Sequence, residues 1–192
     1  MLQNIKAYKI ILASKSPRRK QLLEELGIKF EVKTIDTDES YPAELLTDKI
    51  AEYLAIKKAI PFKKNIDEQT LVITADTIVA IDNEVLGKPA NYNEAFSMLT
   101  KLSGKAHLVS TGVCITSKHK NKSFTSSTKV FFKTLTKVEI DHYIKQYQPF
   151  DKAGAYGIQE WIGFIAVERI EGSYFNVMGL PVQRLYEELC DF

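Results

Sequence analysis

Residues 8–27 read Tyr-Lys-Ile-Ile-Leu-Ala-Ser-Lys-Ser-Pro-Arg-Arg-Lys-Gln-Leu-Leu-Glu-Glu-Leu-Gly. Ile10, Ile11 and Leu12 make a short buried strand, 14–16 a tight loop, and Pro17 opens a helix that closes at Gly27. Ser16 suits the N-cap and Pro17 the first helical position, where a missing N–H costs nothing. Leu22, Leu23 and Leu26 supply an apolar face at helical spacing, and Gly27 fits the left-handed stop. A strand feeding a helix through a tight loop is how an α/β chain begins.

The charge on that helix is unusual. Arg18, Arg19 and Lys20 fall in the first turn, at the positive end of the helix dipole. Each cation there costs roughly 0.3–1 kcal/mol unless something negative sits opposite. Two hydroxyls, two guanidiniums and the N–H groups of a helix start describe an anion site, most simply for phosphate. The alternative is an ordinary helix whose long side chains splay into water. Three adjacent cations at the wrong end favour the anion site.

The chain has 192 residues, 45% hydrophobic and 26% charged, with a formal net charge of +2. That fits a soluble globular protein with a real core, and a charge this small gives no case for nucleic-acid or membrane binding by bulk electrostatics. Cys114 and Cys190 lie far apart without C-x-x-C spacing, so neither a zinc site nor a disulfide framework is expected, and reduced thiols fit a cytoplasmic protein. Lys6 and Lys9 interrupt the N-terminus where a secretory apolar core would lie, and no run approaches a membrane span.

Further along, Phe30–Ile35 alternates as a half-buried strand. A helix is expected over 44–60, stopped by Pro61. Leu71–Ile81 is the most strand-like run, and Asp82-Asn83 turns it into Val85-Leu86. A helix over 93–102 ends at Ser103-Gly104, and two β-rich runs, 106–116 and 123–133, flank a basic hairpin tip at 117–122. Thr136 with Glu139 is a capping-box start for a helix to about Gln146. Phe164–Ile170 reads as a strand, and Gly179-Leu180-Pro181 leads into a last helix to Leu189. Without repeats or linkers, this is one α/β domain over 1–192 with an elongated mixed sheet.

Several residues could carry chemistry. Asp76 interrupts the apolar run Val72–Val79, and a carboxylate there must be paired, metal-bound or catalytic. Lys88 precedes Pro89, which forces it onto extended backbone. Lys58, near a helix end, and Glu39, in an acidic loop, each read alone as solvated groups. His107, His119 and His142 show no ligand spacing. Neither G-x-x-x-x-G-K-[ST] nor G-x-G-x-x-G after a strand is present, so any phosphate handling falls to the Ser-Lys-Ser-Pro-Arg-Arg loop.

Taken together these segments resemble the Maf-like nucleoside triphosphate pyrophosphatases. The match covers nearly the whole chain in order: residues 12–19, Asp38-Glu39-Ser40, Leu54-Ala55 with Lys58-Ala59, Ala75-Asp76-Thr77, Gly87-Lys88-Pro89, Leu102-Ser103-Gly104, residues 151–159, Gly172-Ser173-Tyr174, Asn176-Val177 and Gly179-Leu180-Pro181. Any one is weak; in register they are specific. One departure is Tyr147-Gln148-Pro149, where the family has Gly-Glu-Pro.

The resemblance implies an elongated mixed central sheet flanked by helices, with two lobes around a cleft. It implies hydrolysis between the α- and β-phosphates of a nucleoside triphosphate, with a divalent cation (Mg²⁺ or Mn²⁺), by a homodimer with no nucleic-acid or membrane partner. By position, Asp76 is the general base or a ligand of the metal-bound water, and Glu39 a metal ligand. Ser14, Arg19, Lys58 and Lys88 contact phosphates, and Arg18, Thr77 and Gln159 select the base. Ser-Pro-Arg-Arg, Ala-Asp-Thr and Gly-Ile-Gln resemble the dTTP/UTP branch, which implies action on dTTP, UTP and modified pyrimidine nucleotides in pool housekeeping. The rival is a non-catalytic nucleotide-binding regulator of cell division, which would be expected to have lost Asp76 or Glu39.

Overall fold

The opening strand forms as β1 (Lys9–Leu12) and is followed by α1 (Pro17–Glu25), whose N-cap Ser16 accepts the Arg19 N–H on its hydroxyl. This computed structural model describes residues 2–64 and 66–192. The remaining elements are β2 (Glu31–Val32), α2 (Thr47–Lys63), β3 (Thr70–Ile81), β4 (Glu84–Leu86), α3 (Tyr92–Leu102), β5 (Ala106–Thr116), β6 (Asn121–Phe132), α4 (Lys137–Tyr147), α5 (Trp161–Ala166), β7 (Val167–Glu171), α6 (Tyr174–Met178) and α7 (Val182–Cys190). The strands form one mixed sheet in the order β2-β1-β3-β5-β6-β7, with β4 pairing β3. β1 runs parallel to both β2 and β3, while β3–β4 and β6–β7 are antiparallel. Asp82 and Asn83, at φ of 52° and 64°, supply the two left-handed residues that a tight β3–β4 hairpin needs.

The chain divides into two compact units. The first comprises Met1–Asp76, Thr111–Ser126 and Gly179–Phe192; the second comprises Thr77–Ser110 and Ser127–Met178. In the first unit α2 lies directly on the sheet. Its buried face carries three alanines, Ala51, Ala55 and Ala59, beside Ile50 and Leu54, and a Cβ on Gly112 of β5 would collide with the Ala51 backbone. In the second unit His107, Phe132 and Tyr156 pack edge to face, with ring centroids 4.9–5.4 Å apart.

Four expectations need correction. The strand over 30–35 shrinks to Glu31–Val32, exposed on both residues, because it pairs with β1 at the sheet's edge and buries neither face. α2 starts at Thr47 and runs through Pro61 to Lys63, so the proline lies within the last turn and does not stop the helix. Residues 164–166 belong to a helix: Ile162 and Ala166, four apart, are both fully buried, while Phe164 between them faces water. α6 was not anticipated. The lost Glu of the Gly-Glu-Pro motif falls at Gln148, an exposed left-handed residue closing α4.

The basic hairpin tip is ion-paired within the first unit. Lys118 and His119 meet Glu68, Lys120 donates to the Asp191 and Phe192 carbonyls, and Lys122 pairs with the buried Glu188 of α7. Cys114 and Cys190 are both free thiols. Among the described residues, no helix is long and apolar enough to cross a membrane.

Candidate active site

The close seating of α2 decides where its lysines go. The Thr74 hydroxyl of β3 donates to the Ala55 carbonyl at 2.7 Å, pinning strand to helix. The next residue on that face of the strand is Asp76, two along; on the helix, Lys58 lies three along from Ala55. The two meet, and the Lys58 ammonium donates to Asp76 Oδ1. It also reaches Glu39 Oε1 at 2.8 Å, so one lysine stands between two carboxylates. The Asp76 side chain is 12% exposed and that of Lys58 18%, far from the solvated helix end that Lys58 alone suggested.

Glu39 is delivered by a braced loop. The Ser40 N–H donates to Asp38 Oδ1 at 2.9 Å, and the Ser40 hydroxyl to Asp38 Oδ2. Lys57 then clamps the turn, 2.9 Å from Asp38 Oδ2 and 2.8 Å from the Ser40 carbonyl. These bonds hold the Asp38 carboxyl well below the usual carboxylate range. Lys57 was not among the residues singled out from the sequence. Its neighbour's partner, Glu39, is the residue it positions.

Arg19 closes the third side. Its Nε donates to the Gly179 carbonyl at 2.8 Å, and Nη1 donates to the Ala75 carbonyl at 2.9 Å and to Ser14 Oγ at 3.4 Å. Burial lowers its pKa, the Asp76 and Glu39 charges oppose that shift, and Arg18 adds to it. Ser14 is buried and its Oγ also accepts the Ser16 N–H at 3.2 Å. The Ser16 and Arg19 N–H groups are thus engaged by loop hydroxyls, so an anion at this helix start would rely on side chains more than on those two amides. Lys15 pairs with Asp36 and Lys20 with Glu24; Arg18 is half-buried. The first unit therefore gathers Ser14, Arg19, Glu39, Lys58 and Asp76 into one charged cluster.

Thr77, Lys88 and Gln159 belong to the second unit. Thr77 follows Asp76 along β3 and is half-buried, and Lys88 is exposed in the loop after β4. That loop is tied to the 153–155 turn by the Gly154 N–H, 3.1 Å from the Gly87 carbonyl. Gly154 sits at φ 68° with Val79 beneath it, and a Cβ there would come within 2.9 Å of that valine. Gln159 lies in the same segment, its Oε1 buried and without a partner among the described residues.

The first unit's two carboxylates fit a hard divalent cation. Both are oxygen donors and both reach one point, the Lys58 ammonium. Among the described residues no cluster of three or more His, Cys, Asp or Glu could hold a metal, and Glu39 and Asp76 are the carboxylate pair this site offers. That suits Mg²⁺, which keeps several waters and is bound through one or two carboxylates plus substrate phosphates.

A family model described as Maf-like protein matches residues 9–192. A protein named dTTP/UTP pyrophosphatase from Phocaeicola vulgatus is 57% identical over 190 residues, covering 98% of each chain. Another of that name, from Porphyromonas gingivalis, is 53% identical over 195 residues and covers 100% of this chain and 98% of its own. Among solved structures, the Ham1 protein of Staphylococcus aureus aligns over 94% of this chain and 99% of its own, at 16% identity and a TM-score of 0.49.

Proposed function

The chain belongs to the Maf-like protein family, and from that premise we propose that it is a nucleoside triphosphate pyrophosphatase acting on dTTP and UTP. Full-length relatives that carry this name support the substrate class. The observation that carries the reading is Lys58 standing between Glu39 and Asp76, beside Arg19.

In the resting protein Lys58 balances two carboxylates that would otherwise repel each other. A triphosphate offers the ammonium and the Arg19 guanidinium a better-matched partner, and Glu39 and Asp76 would then hold a divalent cation. That cation, when bound, polarises a phosphate oxygen and lowers the pKa of a coordinated water. Asp76 accepts the proton of the water that attacks the α-phosphorus. The α–β bridging P–O bond breaks, and pyrophosphate leaves with the electron pair. Lys58, Lys88, Arg19 and Ser14 hold phosphate oxygens, so catalysis is mostly positioning and charge stabilisation.

Base choice falls to Arg18, Thr77 and Gln159. The 4-oxo and N3–H edge shared by thymine and uracil matches an amide's donor and acceptor, and cytosine presents the reverse pair. A polar site of this kind rejects the wrong edge strongly, because buried groups are left unpaired. The reading extends to modified pyrimidine nucleotides, to Mg²⁺ or Mn²⁺ as the cation, and to pool housekeeping in the cytoplasm. Residues 1–192 act as one catalytic domain, as a homodimer without a nucleic-acid or membrane partner. The ion pairing of the basic hairpin tip supports the exclusion of nucleic acid.

The test is a pyrophosphate-release panel over dTTP, UTP, CTP, dATP and GTP with and without Mg²⁺ and Mn²⁺. dTTP and UTP should be cleaved with either metal and the others poorly. Equal turnover of CTP or a purine nucleotide would refute the base assignment.

A further inference from the structure

Gln159 is the third residue of a tight turn, Gly157 to Glu160, closed by the Glu160 N–H on the Gly157 carbonyl at 3.0 Å. Both ends of that turn are fastened to one side chain. The Tyr143 hydroxyl accepts the Gly157 N–H at 3.1 Å and donates to Glu160 Oε2. Tyr143 comes from α4 and is fully buried, so its ring cannot drift. Burial and the Glu160 charge push its phenol up, which keeps the hydrogen on the oxygen and the donor direction fixed.

The other oxygen of Glu160 is also taken. Oε1 lies 3.2 Å from the buried Lys152 ammonium, which is 2.6 Å from Asp151 Oδ1. A Cβ at residue 157 would come within 2.9 Å of the Glu160 carboxyl carbon and would push that carboxylate from its partners. A Cβ on Gly163 would collide with the Ile158 carbonyl, so the start of α5 rests directly on the turn. The backbone on both sides of Gln159 is thus held by hydrogen bonds, an ion pair and close packing. In the middle of this rigid frame Gln159 Oε1 is buried without a donor among the described residues. An unmet buried acceptor costs folding free energy that a ligand N–H would return.

We propose that Tyr143, Glu160 and Lys152 are positioning residues that lock the Gly157–Glu160 turn so that the Gln159 amide meets the oxo and imino edge of the pyrimidine. The proposal rests on Gln159 as a base-reading residue. An amide on a loose loop would rotate to suit cytosine as well as thymine; one on a locked turn cannot, and selectivity comes from that refusal. Tyr143, Glu160 and Lys152 touch no substrate in this scheme.

The test compares kcat/KM for dTTP and CTP in the wild type, Gln159→Ala, Tyr143→Phe and the double variant, with thermal unfolding recorded for each. Gln159→Ala should collapse the dTTP-to-CTP ratio. Tyr143→Phe keeps the ring in the core and should lower the same ratio about tenfold, mainly through a higher KM for dTTP, on the scale of a group displaced by less than an ångström. The double variant should be no less selective than Gln159→Ala alone. Glu160→Gln preserves an acceptor for Tyr143 while weakening the Lys152 contact, and should lower the ratio about threefold if Tyr143→Phe is too unstable to assay. A merely structural clamp would lower the melting temperature and leave the ratio unchanged in Tyr143→Phe and Glu160→Gln, which overturns the proposal while Gln159 still reads the base. An unchanged ratio in Gln159→Ala overturns the base reading itself, and the positioning proposal with it.

Discussion

Lys58 lies between Glu39 and Asp76 in the first unit, and Lys152 lies between Asp151 and Glu160 in the second. The ingredients are the same, and the surroundings differ. Asp76 and Glu39 meet a second cation of the site, Arg19, which acts on both through its charge. Glu160 meets a phenol that is also bonded to the Gly157 N–H at the other end of the same turn, so its partners are bound into the fold. In the proposed reaction the first triad exchanges its lysine for a cation and a phosphate. The second cannot exchange anything without opening a turn. A lysine between two acids is therefore either a site in waiting or a rivet, and the neighbouring groups decide which.

The largest effect that would break this distinction is at Asp76. Asp76→Asn keeps the shape and the acceptor for Lys58 but can neither take a proton nor neutralise a metal. Turnover should fall by roughly 10²- to 10⁴-fold. Near-normal pyrophosphate release by a folded Asp76→Asn protein would remove the first triad from catalysis. Next comes the pair of lysine substitutions. Lys58→Met should lower kcat/KM for every triphosphate alike by about a hundredfold, since phosphates are common to all of them. Lys152→Met leaves Glu160 largely buried without its cation and should cost about 3 kcal/mol in denaturant unfolding. If Lys152→Met unfolds at the wild-type denaturant concentration, the second triad is no rivet.

The smallest effect sharpens the second unit's side of the comparison. His107 is buried against Phe132 and Tyr156, its Nε2 2.8 Å from the Tyr156 hydroxyl, and burial pulls its pKa down from 6.5 to about 4. The unfolded chain therefore takes up a proton that the folded one refuses. Stability from this group is full above about pH 6.5 and is lost as pH falls toward 4. Between pH 7 and 5 the loss should be about 2 kcal/mol in urea unfolding, and His107→Gln should flatten that slope. An unchanged slope in His107→Gln would show that the histidine is not kept neutral by the fold.

Much of the fold was legible where its signals are local. Ser16 and Pro17 mark the α1 start, Thr136 and Glu139 form the capping box of α4, and Asp82-Asn83 makes the hairpin turn. The family motifs named the site residues, but not how they meet. The contact of Lys58 with Asp76 depends on Thr74 gripping Ala55, which no spacing along the chain announces. Lys57 was invisible for the same reason: its partners, Asp38 and Ser40, lie far back in the sequence. In the second unit Tyr143 and Gly157 come from different elements, so the sequence showed Gln159 only as part of a family motif and not the turn that carries it. Phe164 misled by sitting in an apolar, strand-like run, although it is the exposed residue of a helix.

The most direct test of the central claim is hydrolysis of dTTP in ¹⁸O-labelled water, with both products weighed by mass spectrometry. Water activated beside Asp76 to attack the α-phosphorus puts one ¹⁸O into dTMP and none into pyrophosphate. Label in pyrophosphate, or release of orthophosphate with dTDP, would contradict the account.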